Sequence, residues 1–162
     1  EALKKSAVVF RTNEKILCIS PHLMYAIHFF HYSRLAERIE EKLIDLVISL
    51  EALYLAERME LGYRLSLRVA SLIGHLYSDR TAQQISEEIR SFYDKRSSIV
   101  HGDPEGITGG EILRLEDYVR RSIQMFMKLS ATKSKKDILK LADASLFDDK
   151  AKKSLPECNS IG

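Results

Sequence analysis

Helix breakers are few in this chain and are gathered in one place, which limits its folds more than any other feature. Its 162 residues include three prolines and seven glycines, and four of the glycines fall between Gly102 and Gly110. A backbone so rarely interrupted is expected to run as long helices. Helix starts are marked as well. Ser20 precedes Pro21, the cap-then-proline order of a first turn. Thr81 with Gln84, and Thr108 with Glu111, have the spacing of reciprocal capping boxes. The spacing predicts a first helix from Pro21 towards His31, and a second over about 34–58 with Ser33 as its cap. Four more follow over about 60–77, 81–101, 109–131 and 135–146. The fold class expected is all-α, an up-and-down bundle of about five or six helices.

Hydrophobic residues make up 45% and charged residues 30%, which excludes global disorder and suits a single buried core. Residues 20–147 form the expected helical domain. Residues 1–19 hold two short apolar runs and read either as a β-hairpin or as the end of a preceding domain. Residues 148–162 read as a polar tail. A start at Glu1 suggests a domain cut from a longer chain. Net charge is +2, so any contact with RNA must be local and not a matter of bulk charge. No signal-peptide pattern and no apolar run near membrane-spanning length is present, so no membrane partner is expected. Cys18 and Cys158 have neither metal-ligand spacing nor a disulfide framework, and this points to a reducing, cytoplasmic setting.

The helical faces locate the candidate chemistry. The second helix is apolar nearly all round from Ile44 to Leu55, as a central helix must be, yet Glu51 sits within that section. A carboxylate there needs a cation. Arg68, near the centre of the apolar face of the third helix, is the first candidate partner and Arg96 the second. On the fourth helix Ile85, Ile89, Phe92, Tyr93, Ile99 and Val100 share one side, and Arg96 falls in the middle of it. His101 closes that helix, immediately before Gly102 and Pro104. Packing can explain both residues, with Arg96 paired to Glu51 and His101 at the negative end of the helix. Function can explain them too. A guanidinium holds phosphate through two donors, and imidazole moves protons near neutral pH. On an ideal helix the two lie about 140° and roughly 7.5 Å apart, so they converge only if the helix end tightens or a second subunit completes the site.

Two further groups stand out. Arg114, Arg121 and Lys128 recur at heptad spacing opposite the apolar face of the fifth helix, a solvated stripe able to track RNA phosphates. His28 and His31 lie one turn apart in the first helix, with His22 nearby, but no carboxylate or cysteine at ligand spacing accompanies them. Neither a metal nor a cofactor is therefore expected.

The order Arg96, four residues, His101 at a helix end resembles the Arg-x4-6-His signature of HEPN domains. Three stretches, 46–53, 63–70 and 93–102, are most similar to the Apea-like HEPN group, and the likeness spans about residues 20–147. It implies a homodimer with paired Arg-His motifs around one cleft. It also implies a metal-independent endoribonuclease that cleaves RNA through attack of the neighbouring 2′-hydroxyl. Arg96 and His101 would be catalytic, supported by Ser97, Glu51 and Arg68. Ser97 stands where HEPN nucleases often carry Asn, Asp or His, and its hydroxyl can still bond phosphate. The alternative implied is a non-catalytic HEPN module for dimerisation or RNA or nucleotide binding, attached to another effector. Toxin–antitoxin and phage-defence systems are the contexts in which such domains recur, so an antitoxin or a fused effector domain is a further expected partner.

Overall fold

A computed structural model describes residues 20–57, 59–102 and 106–156. The readings placed on residues 1–19, Arg58, Pro104 and Cys158 lie outside the described residues. Those described form seven helices and no strand. They are α1 (Pro21–Leu35), α2 (Ile39–Tyr54), α3 (Leu61–Ile73), α4 (Ala82–Val100), α5 (Gly109–Leu129), α6 (Lys135–Ser145) and a short α7 (Asp149–Lys153). A 3-10 turn, Gly74–Leu76, ends α3. The protein is an all-α bundle. None of the described helices is long and apolar enough to cross a membrane.

Both capping boxes form. The Gln84 amide donates to Thr81 Oγ1 at 3.2 Å and the Thr81 amide to Gln84 Oε1 at 2.9 Å. The Thr108–Glu111 pair repeats this at 3.2 and 2.8 Å, so orphan amides of each first turn are satisfied. The first boundary differs from expectation. Ser33 does not cap the second helix; its Oγ donates to the Phe30 carbonyl at 2.7 Å, a bond that lets serine sit inside a helix. Hence α1 continues to Leu35 and α2 starts at Ile39.

The central position of α2 follows from its apolar surround. It packs against α1, α3, α4 and α5, with Leu43, Leu46, Val47, Leu50 and Leu53 at most 1% exposed. Buried polar groups within it are bonded, as burial demands. Ser49 Oγ donates to the Ala26 carbonyl at 2.7 Å and ties α2 to α1. Tyr54 donates to Ser122 Oγ at 2.9 Å, and its ring meets Phe126 edge-on at 5.0 Å, tying α2 to α5. All five apolar positions read from the fifth helix, Ile112, Leu115, Val119, Ile123 and Phe126, are buried. Gly62 lets the start of α3 approach α4: a Cβ there would lie 2.6 Å from Tyr93 Cδ1.

Arg68 binds the bundle together, although not through Glu51. It is 3% exposed, and its five N–H groups are all used. Nε and Nη2 fork onto Asp143 at 2.7 and 2.9 Å. Nη1 and Nη2 fork onto Glu57 at 2.9 and 2.9 Å, and Nη1 also reaches the Tyr54 carbonyl at 2.9 Å. The end of α2, α3 and α6 thus meet on one guanidinium. Beyond residue 147, where a polar tail is expected, the chain forms α7 against α6 and buries Leu155.

Candidate active site

Arg96 and Ser97 lie in the last turns of α4 and His101 closes it, whereas Arg68 lies at the junction of α2, α3 and α6 and the basic stripe lies on α5. Ile85, Ile89 and Phe92 are buried, which fixes the face this helix turns to the core. Towards its end the same stripe emerges: Ile99 is half-buried and Val100 is 56% exposed. The last turn then tightens. The His101 amide bonds to the carbonyls of Ser97 and Ser98, both at 3.1 Å, and the Gly102 amide to Ile99 at 3.0 Å. Gly102 takes φ +84°, the left-handed conformation that ends a helix and favours glycine. His101 is consequently displayed on the surface at the helix mouth.

Arg96 is half-buried, with its side chain 27% exposed, and it faces α2. Its Nη2 lies 3.8 Å from Glu51 Oε2, an ion pair at long range and not a close fork. Its Nε is buried and has no hydrogen-bond partner. This guanidinium therefore has bonding capacity to spare. Glu51 is also half-buried, at 21% side-chain exposure. Burial pushes its carboxyl above the ordinary value, and the Arg96 charge offsets that only in part. The structure thus assigns Glu51 to Arg96, the second candidate, because Arg68 is saturated by Glu57, Asp143 and Tyr54.

A lysine holds the neighbouring loop in place. Lys95 Nζ bonds to Glu111 Oε1 at 2.8 Å and to the Gly106 carbonyl at 3.1 Å, joining α4 to the first turn of α5 and to Gly106 before it. That bond from Lys95, with the Thr108 amide, lowers the Glu111 carboxyl to about 2. Lys95 escapes a reading by apolar period; its only sequence signal is a cation one position before Arg96. Ser97 is half-buried and lies between the two candidate residues in the chain.

The basic residues of α5 are less available than their spacing suggests. Arg114 Nε lies 3.7 Å from Glu88 and, like that of Arg96, is buried without a hydrogen-bond partner. Arg121 bonds to Asp117 at 3.0 Å and to the Leu76 carbonyl at 3.2 Å, with its guanidinium 4.4 Å from the Tyr77 ring centroid. Arg121 thereby fastens α5 to the turn after α3 and is not a free phosphate contact. Lys128 is exposed.

The histidines of α1 do not converge. His28 and His31 are exposed, whereas His22 packs edge-on against Phe126 at 6.0 Å. Burial, with Lys135 nearby, lowers His22 to about 4, which keeps it neutral at physiological pH. Among the described residues no group of three or more His, Cys, Asp or Glu side chains is placed to hold a metal ion.

Fold and site define the class of protein only as an all-α bundle with an arginine–histidine helix end. Compared with known proteins, the chain matches no family model, no curated protein and no solved structure.

Proposed function

We propose that this chain is a HEPN-type endoribonuclease whose site is formed by Arg96 and His101 and completed by a second copy. The observation that carries the reading is the Arg96 guanidinium, half-buried and under-bonded, on the helix that ends in an exposed His101. An RNA phosphate satisfies such a group better than Glu51 does at 3.8 Å, because it accepts two short charge-assisted bonds. In the proposed reaction His101 takes the proton of the 2′-hydroxyl or supplies one to the departing 5′-oxygen. The 2′-oxygen attacks phosphorus, the bond to the 5′-oxygen breaks, and a 2′,3′-cyclic phosphate remains. Arg96 meets the charge that grows on the phosphoryl oxygens.

The emerging apolar turn, Ile99 and Val100, supports a two-fold contact there, which would place two Arg-His pairs around one cleft. Arg121 is committed within the fold, and Arg96, unlike Arg114, stands on the helix that ends at His101, so the phosphate contact is assigned to Arg96. The Glu51–Arg96 pair favours a second reading, a module that binds RNA or dimerises without cleaving.

Parallel binding and cleavage assays separate the two. His101→Ala is expected to spare RNA binding and remove cleavage, and Arg96→Ala to weaken both. Wild-type protein that binds RNA and leaves it intact across sequences and pH would select the binding module.

A further inference from the structure

A cavity of about 510 Å³ opens between the end of α2, α3 and α6. None of its lining residues belongs to α4 or α5, so it is separate from the arginine–histidine site. Its size falls in the range of small-molecule sites, about 300–1,000 Å³. Four cations, Arg68, Lys135, Lys136 and Lys140, face two carboxylates, Glu57 and Asp143, leaving a formal balance of +2. Both carboxylates are forked onto Arg68 and exceed its single charge by one, so the three lysines still leave the lining positive by two.

The lysines divide into two kinds. Lys135 is half-buried, and its Nζ donates to the carbonyls of Ala52 and Leu55, at 2.7 Å each, which fixes an ammonium at the wall. Lys136 and Lys140 lie one turn apart on α6 and are exposed. Neither makes a hydrogen bond or ion pair among the described residues, and Lys140 lies within electrostatic reach of Asp137. Leu139 supplies apolar wall between them.

We propose that this cavity binds a phosphorylated small molecule. Lys136 and Lys140 close on its phosphate, Lys135 adds charge from behind, and Leu139 receives the uncharged body. A dianion matches the +2 balance of the lining, and two flexible ammonium groups suit a phosphate as point-charge donors.

Inorganic pyrophosphate titrated calorimetrically into the full chain tests this. Wild type is expected to show saturable binding near one equivalent. The double variant Lys136→Ala/Lys140→Ala is expected to bind at least about tenfold more weakly, from the loss of charge-assisted bonds. Lys42→Ala, on α2 and outside the cavity, is expected to bind as wild type. Both lysines are exposed, so unliganded thermal unfolding should be unchanged in the double variant. No saturable binding to wild type, or equal binding to the double variant, would overturn the proposal. Loss of single-stranded RNA binding in the double variant, with no pyrophosphate uptake by wild type, would overturn it in favour of a nucleic-acid backbone.

Discussion

Replacing Arg68 by methionine keeps much of the aliphatic stem and deletes only the guanidinium. That group is 3% exposed and is bonded by Glu57, Asp143 and the Tyr54 carbonyl. Losing one member of a buried ion pair costs about 3–5 kcal/mol when the surviving charges stay dry. Here the survivors are partly wet, with side-chain exposures of 36% for Glu57 and 51% for Asp143. Rehydration brings the expected loss to about 3 kcal/mol, most of it from the vacated guanidinium site and the unsatisfied Tyr54 carbonyl. At about 2–4 °C per kcal/mol for a domain of this size, Tm should fall by about 6–12 °C. Urea unfolding followed by far-UV circular dichroism measures the loss directly, with the m-value unchanged. Acid supplies an independent signature. Hydrogen bonding from Arg68 lowers the Glu57 carboxyl from 4.5 to about 2. A depressed folded-state pKa contributes stability above the unfolded value and loses it as pH falls towards the folded one. Wild type should therefore lose this contribution between pH 4.5 and about 2, and Arg68→Met should lack it. A loss below about 1 kcal/mol with an unchanged acid profile would refute the reasoning, since a buried ion pair broken by truncation costs several times that.

Glu51→Gln should change stability by less than about 1 kcal/mol at pH 7, because removing the long Arg96 pair also removes the burial penalty that raises this carboxyl. A raised folded-state pKa gives stability below the unfolded value that is lost as pH rises through the folded one, so the variant should lack the fall that wild type shows as pH rises from 4.5 through the raised Glu51 titration. A loss above about 2 kcal/mol in urea would contradict the geometry. Lys95→Met should cost about 1–2 kcal/mol and remove part of the stability that wild type loses as acid titrates Glu111 from 4.5 towards 2. An unaltered acid profile would show that the bond contributes nothing. Light scattering should give twice the monomer mass at micromolar concentration and a monomer for Val100→Asp, whose site is 56% exposed. A monomeric wild type that cleaves RNA would exclude the two-fold site.

The fold was legible where its signals are local. Breaker placement and the Thr81–Gln84 and Thr108–Glu111 boxes mark helix starts within one turn of chain, and both boxes form. The apolar period of the fifth helix marks its buried face for the same reason. Ser33 misled because the hydroxyl that caps one helix can equally bond back within another, and sequence does not choose between them. The partners of Arg68 were out of reach for a different reason. Asp143 lies 75 residues away on α6, and only tertiary packing brings it to the guanidinium. Arg121 looked solvated because period assigns a face, and its contact with Tyr77 crosses from another element. In the candidate site, the sequence placed Arg96 on a buried line and His101 at a helix end. The spare bonding capacity of Arg96 depends on how far away Glu51 comes to lie.

Single-turnover cleavage of a labelled single-stranded RNA, with chelator present and wild type compared with His101→Ala, tests the central proposal most directly. The account predicts cleavage by wild type with 2′,3′-cyclic phosphate ends and a rate lowered about 10²- to 10⁴-fold in His101→Ala, with RNA affinity retained. Cleavage undiminished by His101→Ala, or products ending in a 3′-hydroxyl, would contradict it.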